Sequence, residues 1–249
     1  MKGVANSFLV ATQFLTRLPV SPSDSFSADA LASSTAFFPV IGLIVGAGGC
    51  LLRWILLPHT NASIVAVAIL IYLAAVTGGL HEDALGDAAD GFGGGYCRER
   101  ILEIMRDSRI GSFGAIAIVL GLLSRFVLLS SLSADRFISY FIAAHVLSRW
   151  SALPLASFLA AARPEDGQGR RIAHRVSTSS FLLGTILCVG IAAFLLKWRA
   201  VYAIGATIAV VAATGAYYHR RIGGITGDCL GATNQIAEVA VYFVGVILR

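Results

Sequence analysis

A chain of 249 residues that is 57% hydrophobic and 13% charged, with a mean hydropathy of +0.79, would hide its apolar side chains poorly as a soluble domain. It has the composition of a polytopic membrane protein. The formal net charge of +5 raises nucleic acid as a partner, but no basic stripe interleaves with aromatics, so that class is excluded. Four cysteines (Cys50, Cys97, Cys188, Cys229) lack C-x-x-C spacing, which excludes a zinc site and a disulfide framework.

Met1 to Val20 is apolar but interrupted by Asn6, Gln13 and Arg17. It has no small-residue cleavage site and is expected to stay as an interfacial or half-embedded helix. Phe37 to Leu57 is long enough to cross a bilayer, and Ala62 to Leu80 follows a tight Pro-His-Thr-Asn turn. Beyond the polar stretch from Gly78 to Gly114, Ser112 to Leu132 and Phe137 to Ala160 predict a hairpin. Ala161 to Thr178 reads as a polar loop carrying Arg163, Arg170, Arg171 and Arg175. Ser179 to Leu196 and Ala200 to Tyr218 predict the next pair, and a last segment runs from about Cys229 to the C-terminus. The expected fold is all-α: a polytopic integral membrane helical bundle of about seven spans plus the N-terminal helix, forming a single membrane domain over 1–249.

The basic residues orient this map. With the loop after Leu80 cytoplasmic, alternation puts Arg17, the Arg163 to Arg175 loop and Arg220–Arg221 on the same side. The opposite loops carry only Arg53, Arg136, Lys197 and Arg199. The bias points to a membrane protein, in contact with lipid, whose chemistry faces the cytoplasm.

Gly78 to Gly114 breaks the apolar pattern. Asp83, Asp87 and Asp90 fall at i, i+4 and i+7, within about 60° of one another on one helix face. Two such charges ~6 Å apart at an effective dielectric of ~20 repel by roughly 3 kcal/mol. On a soluble protein a solvated acidic face would explain them. Next to membrane spans, where an Asp costs about 2.5–3.5 kcal/mol at a helix centre, function is the default. Hard cations such as Mg²⁺ take carboxylate oxygens and share them with substrate phosphates, so the three Asp are the expected metal ligands. Glu82 points about 100° from Asp83 and is expected to be an exposed acid outside the site.

A second glycine-rich acidic stretch, Gly223-Gly224-Ile225-Thr226-Gly227-Asp228, emerges on the same side. Its glycines suit backbone approaching an anion around Thr226 and Asp228. Asp228, Asn234 and Glu238 add polar groups to an otherwise clean span. Arg125 and Arg149 fall near the middles of theirs, which calls for a polar cavity or an acidic partner. His145 lies one turn before Arg149 and is read as a satisfied core residue.

The run Gly78-Gly79-Leu80-His81-Glu82-Asp83-Ala84-Leu85-Gly86-Asp87-Ala88-Ala89-Asp90-Gly91, the Gly93-Gly94-Gly95 that follows, and Glu103-Ile104-Met105-Arg106-Asp107-Ser108-Arg109-Ile110-Gly111 resemble the cobalamin synthase (adenosylcobinamide-GDP ribazoletransferase) family. Phe14-Leu15-Thr16-Arg17-Leu18-Pro19 and Gly223 to Ala232 are similar to the same family, so the resemblance spans nearly the whole chain. Glu82 departs from its pattern, where an apolar residue is expected.

The resemblance implies the last step of cobalamin nucleotide-loop assembly at the inner membrane with one or two Mg²⁺. Adenosylcobinamide-GDP and α-ribazole, or its 5′-phosphate, are joined to give adenosylcobalamin, or its 5′-phosphate, and GMP leaves. Asp83, Asp87 and Asp90 are then metal ligands, with Asp107 or Asp228 as further ligand or catalytic base. Arg98, Arg106 and Arg109 are phosphate donors, since guanidinium forks match phosphate oxygens. Gly93, Gly94, Gly95, Thr226, Asn234, Arg125 and Arg149 complete the expected substrate-binding set. The rival reading is an ion-coupled transporter with a carboxylate cation site, against which stand the interfacial position of the acids and the lack of a visible inverted repeat. A homo-oligomer is left open.

Overall fold

The computed structural model describes residues 2–20, 27–163, 173 and 175–248. Every expected apolar segment is helical, with Phe137 to Ala160 divided into two helices at Ser151. In chain order the described elements are α1 (Lys2–Leu15), α2 (Ala28–Ser34), α3 (Phe38–Leu56), α4 (Ala62–Thr77), α5 (Leu80–Gly94), α6 (Arg98–Ile104), α7 (Ser112–Ser131), α8 (Ala134–Trp150), α9 (Ala152–Phe158), α10 (Thr178–Leu196), α11 (Ala200–Ile222) and α12 (Gly227–Ile247). Arg170 and Arg171 lie outside the described residues.

Four helical stretches among the described residues are long and apolar enough to cross a bilayer: Ala28–Leu56, Ser112–Ser131, Thr178–Ile222 and Gly227–Ile247. A fifth is added if α4 and α5, bent by 87° at their junction, count as one broken span. The chain is therefore a polytopic helical membrane protein. Thr178–Ile222 comprises α10 and α11, separated at Lys197, which takes a left-handed φ of 54°. Gly184 of α10 packs on Leu153 and Gly215 of α11 on Leu155. Positions so far on either side of Lys197 meet one short helix only if the chain doubles back.

Sequence order does not predict which helix is central. Helix α8 is buried along almost its whole length from Tyr140 to Trp150, although its His145, Ser148 and Arg149 make it less apolar than its neighbours. Glycines in α3 let it come close: a Cβ on Gly42 would lie 2.2 Å from the His145 carbonyl, and one on Gly46 3.1 Å from the Ile142 Cα. This is the small-residue contact by which membrane helices pack. The outer faces invert the soluble pattern. Ile116, Val119, Leu120, Leu123 and Val127 of α7 are each more than half exposed, which suits contact with acyl chains. The 14-residue α1 rises only about 21 Å, short of a bilayer core. Its Val10, Ala11 and Leu15 are buried, and Phe14 stacks on Phe38 with ring centroids 5.8 Å apart.

Two backbone features bring the polar stretches together. Gly78 and Gly79 both sit at positive φ (67° and 71°); Gly78 ends α4 and Gly79 starts α5, so the acidic helix leaves at nearly a right angle. The loops before α12 and after α9 are stitched by the Ile225 N–H to the Ala160 carbonyl (2.9 Å) and the Ala162 N–H to the Ile225 carbonyl (2.8 Å). Arg163 is thereby set beside Thr226 and Asp228.

Candidate active site

Thr226 starts α12 by accepting a hydrogen bond from the Cys229 N–H (3.2 Å), an N-cap that satisfies one orphan donor of the first turn. Its hydroxyl also donates to Asp228 Oδ2 (3.2 Å). The start of α12 crosses the start of α5 with almost no gap, since a Cβ on Gly231 would lie 2.4 Å from the Ala84 Cβ. One cavity of about 120 Å³ results, lined by Asp83, His81, Asp228, Asn234 and Arg149 among apolar neighbours. The two glycine-rich stretches, far apart in sequence, share this cavity. Asp87 lies outside its lining but feels the charges of Asp83, Asp228 and Asp90 as repulsion and that of Arg163 as attraction.

The other acids take different positions. Both Asp90 carboxylate oxygens accept backbone hydrogen bonds at the start of α7, from the Gly111 N–H (2.7 Å) and the Gly114 N–H (2.8 Å). Asp90 thus anchors that helix as a remote cap. Asp107 lies at the surface, where its carboxylate accepts from the Arg109 Nε (2.9 Å) and the Arg109 N–H (3.1 Å). These bonds lower its pKa to about 2, which makes it a weak proton acceptor near neutrality.

Among the expected phosphate donors, Arg98 straps three segments together. Its Nε donates to the Ile222 carbonyl (2.9 Å) and a terminal nitrogen to that of Ala162 (2.8 Å). Arg109 is held by Asp107. Arg106 is exposed and lines an open groove with Arg98 and Arg163. Gly93 and Gly95 serve close packing: a Cβ on either would lie 2.5 Å from the Phe113 ring or the Ile101 side chain. Gly94 faces the Ile104 methyl at 3.3 Å by the same measure.

Arg163 entered the sequence reading only as part of a basic loop, yet it links groove to acids. It donates to the Leu102 carbonyl (2.9 Å) while its buried Nε has no hydrogen-bond partner. Burial pulls its pKa below the ordinary guanidinium value, and the nearby Asp228 opposes that shift. Its signal in the sequence was weak because the acids it faces lie 65 residues later and 76 earlier.

Arg125 and Arg149 find acidic partners. Arg125 pairs with Glu82 (2.8 Å) and Glu238 (3.7 Å); Arg149 pairs with Glu238 (3.5 Å). Gln235 donates to Glu82 as well (3.1 Å). The expectation that Glu82 stands exposed is corrected: its side chain is only 16% exposed, because helix α5 turns that face onto α7 and α12. Arg149 lies 2.6 Å from His145 Nδ1. A guanidinium can only donate, so Nδ1 accepts and the imidazole proton sits on Nε2. Nε2–H then donates to the Tyr242 oxygen (3.3 Å), and Tyr242 O–H to Glu238 (3.2 Å). With a neutral imidazole, the two carboxylates and two guanidiniums cancel, as a buried cluster requires. Arg125 stays within this network, whereas Arg149 also reaches the cavity. A Glu and two Arg within neighbouring spans was the sequence signal for it.

Carboxylate oxygens are the donors Mg²⁺ prefers, and it is commonly held by one or two of them with substrate phosphates and water. Among the described residues no three acidic, histidine or cysteine side chains converge as a ready-made metal cage. Asp83 and Asp228, with Asp87 adjoining, fit the sparser kind of site.

Helical spans around an interfacial cluster of carboxylates and guanidiniums define a membrane-embedded protein built to handle charged groups. The profile of the cobalamin-5-phosphate synthase family matches residues 7–246. The chain is 39% identical to the adenosylcobinamide-GDP ribazoletransferase of Ralstonia nicotianae over 98% of its length and 96% of the relative. It is 40% identical to the enzyme of that name from Ralstonia pickettii, covering 93% and 91% of the two chains. To that of Shewanella woodyi it is 36% identical, over 94% and 93%. No solved structure matches it significantly. This chain belongs to the cobalamin-5-phosphate synthase family, and it is a transferase of cobalamin nucleotide-loop assembly.

Proposed function

We propose that the protein joins adenosylcobinamide-GDP to α-ribazole, or to its 5′-phosphate, with Mg²⁺, and releases GMP. A ribose hydroxyl oxygen forms a new bond to the phosphorus carrying the cobinamide, and the bond from that phosphorus to the bridging oxygen of the GMP phosphate breaks. GMP leaves with the electron pair, and the hydroxyl proton passes to a carboxylate at the cavity and on to water. The carrying observation is that Asp83 and Asp228, from two separate glycine-rich stretches, line one cavity.

Asp83 and Asp228 would hold Mg²⁺, with Asp87 beside them; the ion supplies neutralisation of the diphosphate charge. Asp228 is the better base of the two sequence candidates, since Asp107 is tied to Arg109 at the surface. Arg163 and Arg106 face the diphosphate from the groove, and guanidinium donors there favour charge developing on the leaving phosphate. Asp90 and Arg98 hold the surrounding helices and loops in register. The loops bearing Arg17, Arg163 and Arg221 gather on the side of the acidic helix, which supports a cytoplasmic site in the inner membrane.

Purified protein in nanodiscs, given both substrates, should release GMP only with Mg²⁺ present and stop when it is chelated. GMP release that ignores chelation overturns the metal assignment. No release, with cation uptake in sealed vesicles instead, overturns the transferase assignment.

A further inference from the structure

We infer that the cavity between α1, α3, α5 and α12 is the pocket for the flat, uncharged base of the acceptor nucleoside, and that the corrinoid stays outside it on the open face. The inference deepens the proposed function and rests on it. Size divides the two substrates. At about 120 Å³ this cavity is smaller than the ~150 Å³ that admits a benzene ring, so it takes the edge of a small fused-ring base while the rest lies at its open mouth, and it is far too small for a corrin macrocycle.

The lining fits an aromatic base better than a phosphate. Phe14 and Phe38, nearly parallel at 16°, form one wall with Leu80 and Leu230. Flat apolar walls of this kind accept a ring by stacking and burial. Three polar atoms in the lining lack a partner: the Asn234 amide oxygen, His81 Nδ1 and Arg149 Nε, on residues 4%, 4% and 3% exposed. A buried polar atom without a partner is costly, so these three await complementary groups on a ligand. Their role is separate from that of Asp83, which is exposed and stands at the rim. A nucleoside seated base-inward would place its ribose at Asp83 and Asp228, where the hydroxyl must meet the diphosphate. The base needs no metal for recognition, and that separates this pocket from the diphosphate site.

The test is equilibrium dialysis of α-ribazole against the full-length protein in detergent, without Mg²⁺ and without corrinoid. Wild type should bind. Ala152→Phe, which fills the cavity, should abolish binding, and the near-isosteric Asn234→Leu should weaken it about tenfold. In turnover assays Asn234→Leu should raise KM for α-ribazole about tenfold and leave KM for the GDP-linked corrinoid within about twofold. Equal nucleoside binding by wild type and both variants, or a rise confined to the corrinoid KM, overturns the inference. If Ala152→Phe fails to fold, Asn234→Leu decides alone. Failure of the transferase reading shows separately, as absence of GMP release by the wild type.

Discussion

Two charged regions adjoin at Arg149, and they handle charge in opposite ways. In the buried network every charged group has a counter-charge: Arg125 pairs with Glu82 and Glu238, and Arg149 with Glu238. In the cavity and on its rim, Asp83, Asp87 and Asp228 repel one another, with Arg163 as the nearby cation. Membrane proteins keep buried charges only when they are paired or used. The first region is paired. The second has negative charge left over, and it is the one open enough to meet a ligand. The same residue types are thus paired off in one place and left facing a cavity in the other, and Arg149 is the charged side chain common to both.

The contrast breaks first at Glu238. Removing it in Glu238→Ala leaves Arg149 without its counter-charge and Arg125 with Glu82 alone, and loss of one member of a buried pair costs about 3–5 kcal/mol. Denaturant unfolding in micelles should show that loss together with collapse of activity. A variant as stable as wild type would mean the network is not a scaffold.

At the acidic cavity the effects should be reversed. Asp83→Asn and Asp228→Asn should each lower turnover about 100-fold or more, because phosphate neutralisation is worth several kcal/mol in the transition state. Melting of the substrate-free protein should stay the same or rise as mutual repulsion is relieved. A fall in stability with little change in turnover would reassign these acids to the scaffold.

Glu82→Gln sharpens the boundary between the regions, since Glu82 and Asp83 are sequence neighbours about 100° apart on α5. Hydrogen bonds to charged groups contribute about 1.5–3 kcal/mol, so this variant should lose stability on that scale in the same unfolding assay. Its KM values should stay close to wild type. A drop in turnover without loss of stability would move Glu82 into the cavity's chemistry.

The smallest effect is expected at Asp107→Asn. The native carboxyl titrates at about 2, below its unfolded value, so any stability it contributes is present above the ordinary carboxylate range and is lost as pH falls through about 2. Between about pH 5 and 8 the melting profiles of variant and wild type should run parallel. A divergence there would place Asp107 in a titrating cluster.

Positions of the spans were legible because an apolar run long enough to cross a membrane forms a helix whatever it packs against. Ser112 to Leu132 and Ser179 to Leu196 agree with α7 and α10 to within a residue at each end. The spacing of Asp83 and Asp87 was legible for the same reason, since helix geometry determines neighbours up to about a turn or two away. The cavity that Asp83 shares with Asp228 was foreshadowed only by two glycine-rich stretches on one side of the membrane.

By itself, then, the sequence determined the helices, the membrane class and, through a motif spanning most of the chain, the family. Only the tertiary structure decided which charges are paired. Asp90 reads as the third member of an acidic face until its carboxylate is found on the N–H groups of Gly111 and Gly114. Glu82 reads as a stray acid until Arg125, 43 positions away, is found against it. Helical periodicity carries information about neighbours on the same helix, whereas Coulomb and hydrogen-bond energies depend on distance through space. Glycines at Gly78 and Gly231 let α5 bend away from α4 and press against α12, and that packing separates the acids held by partners from those left facing the cavity.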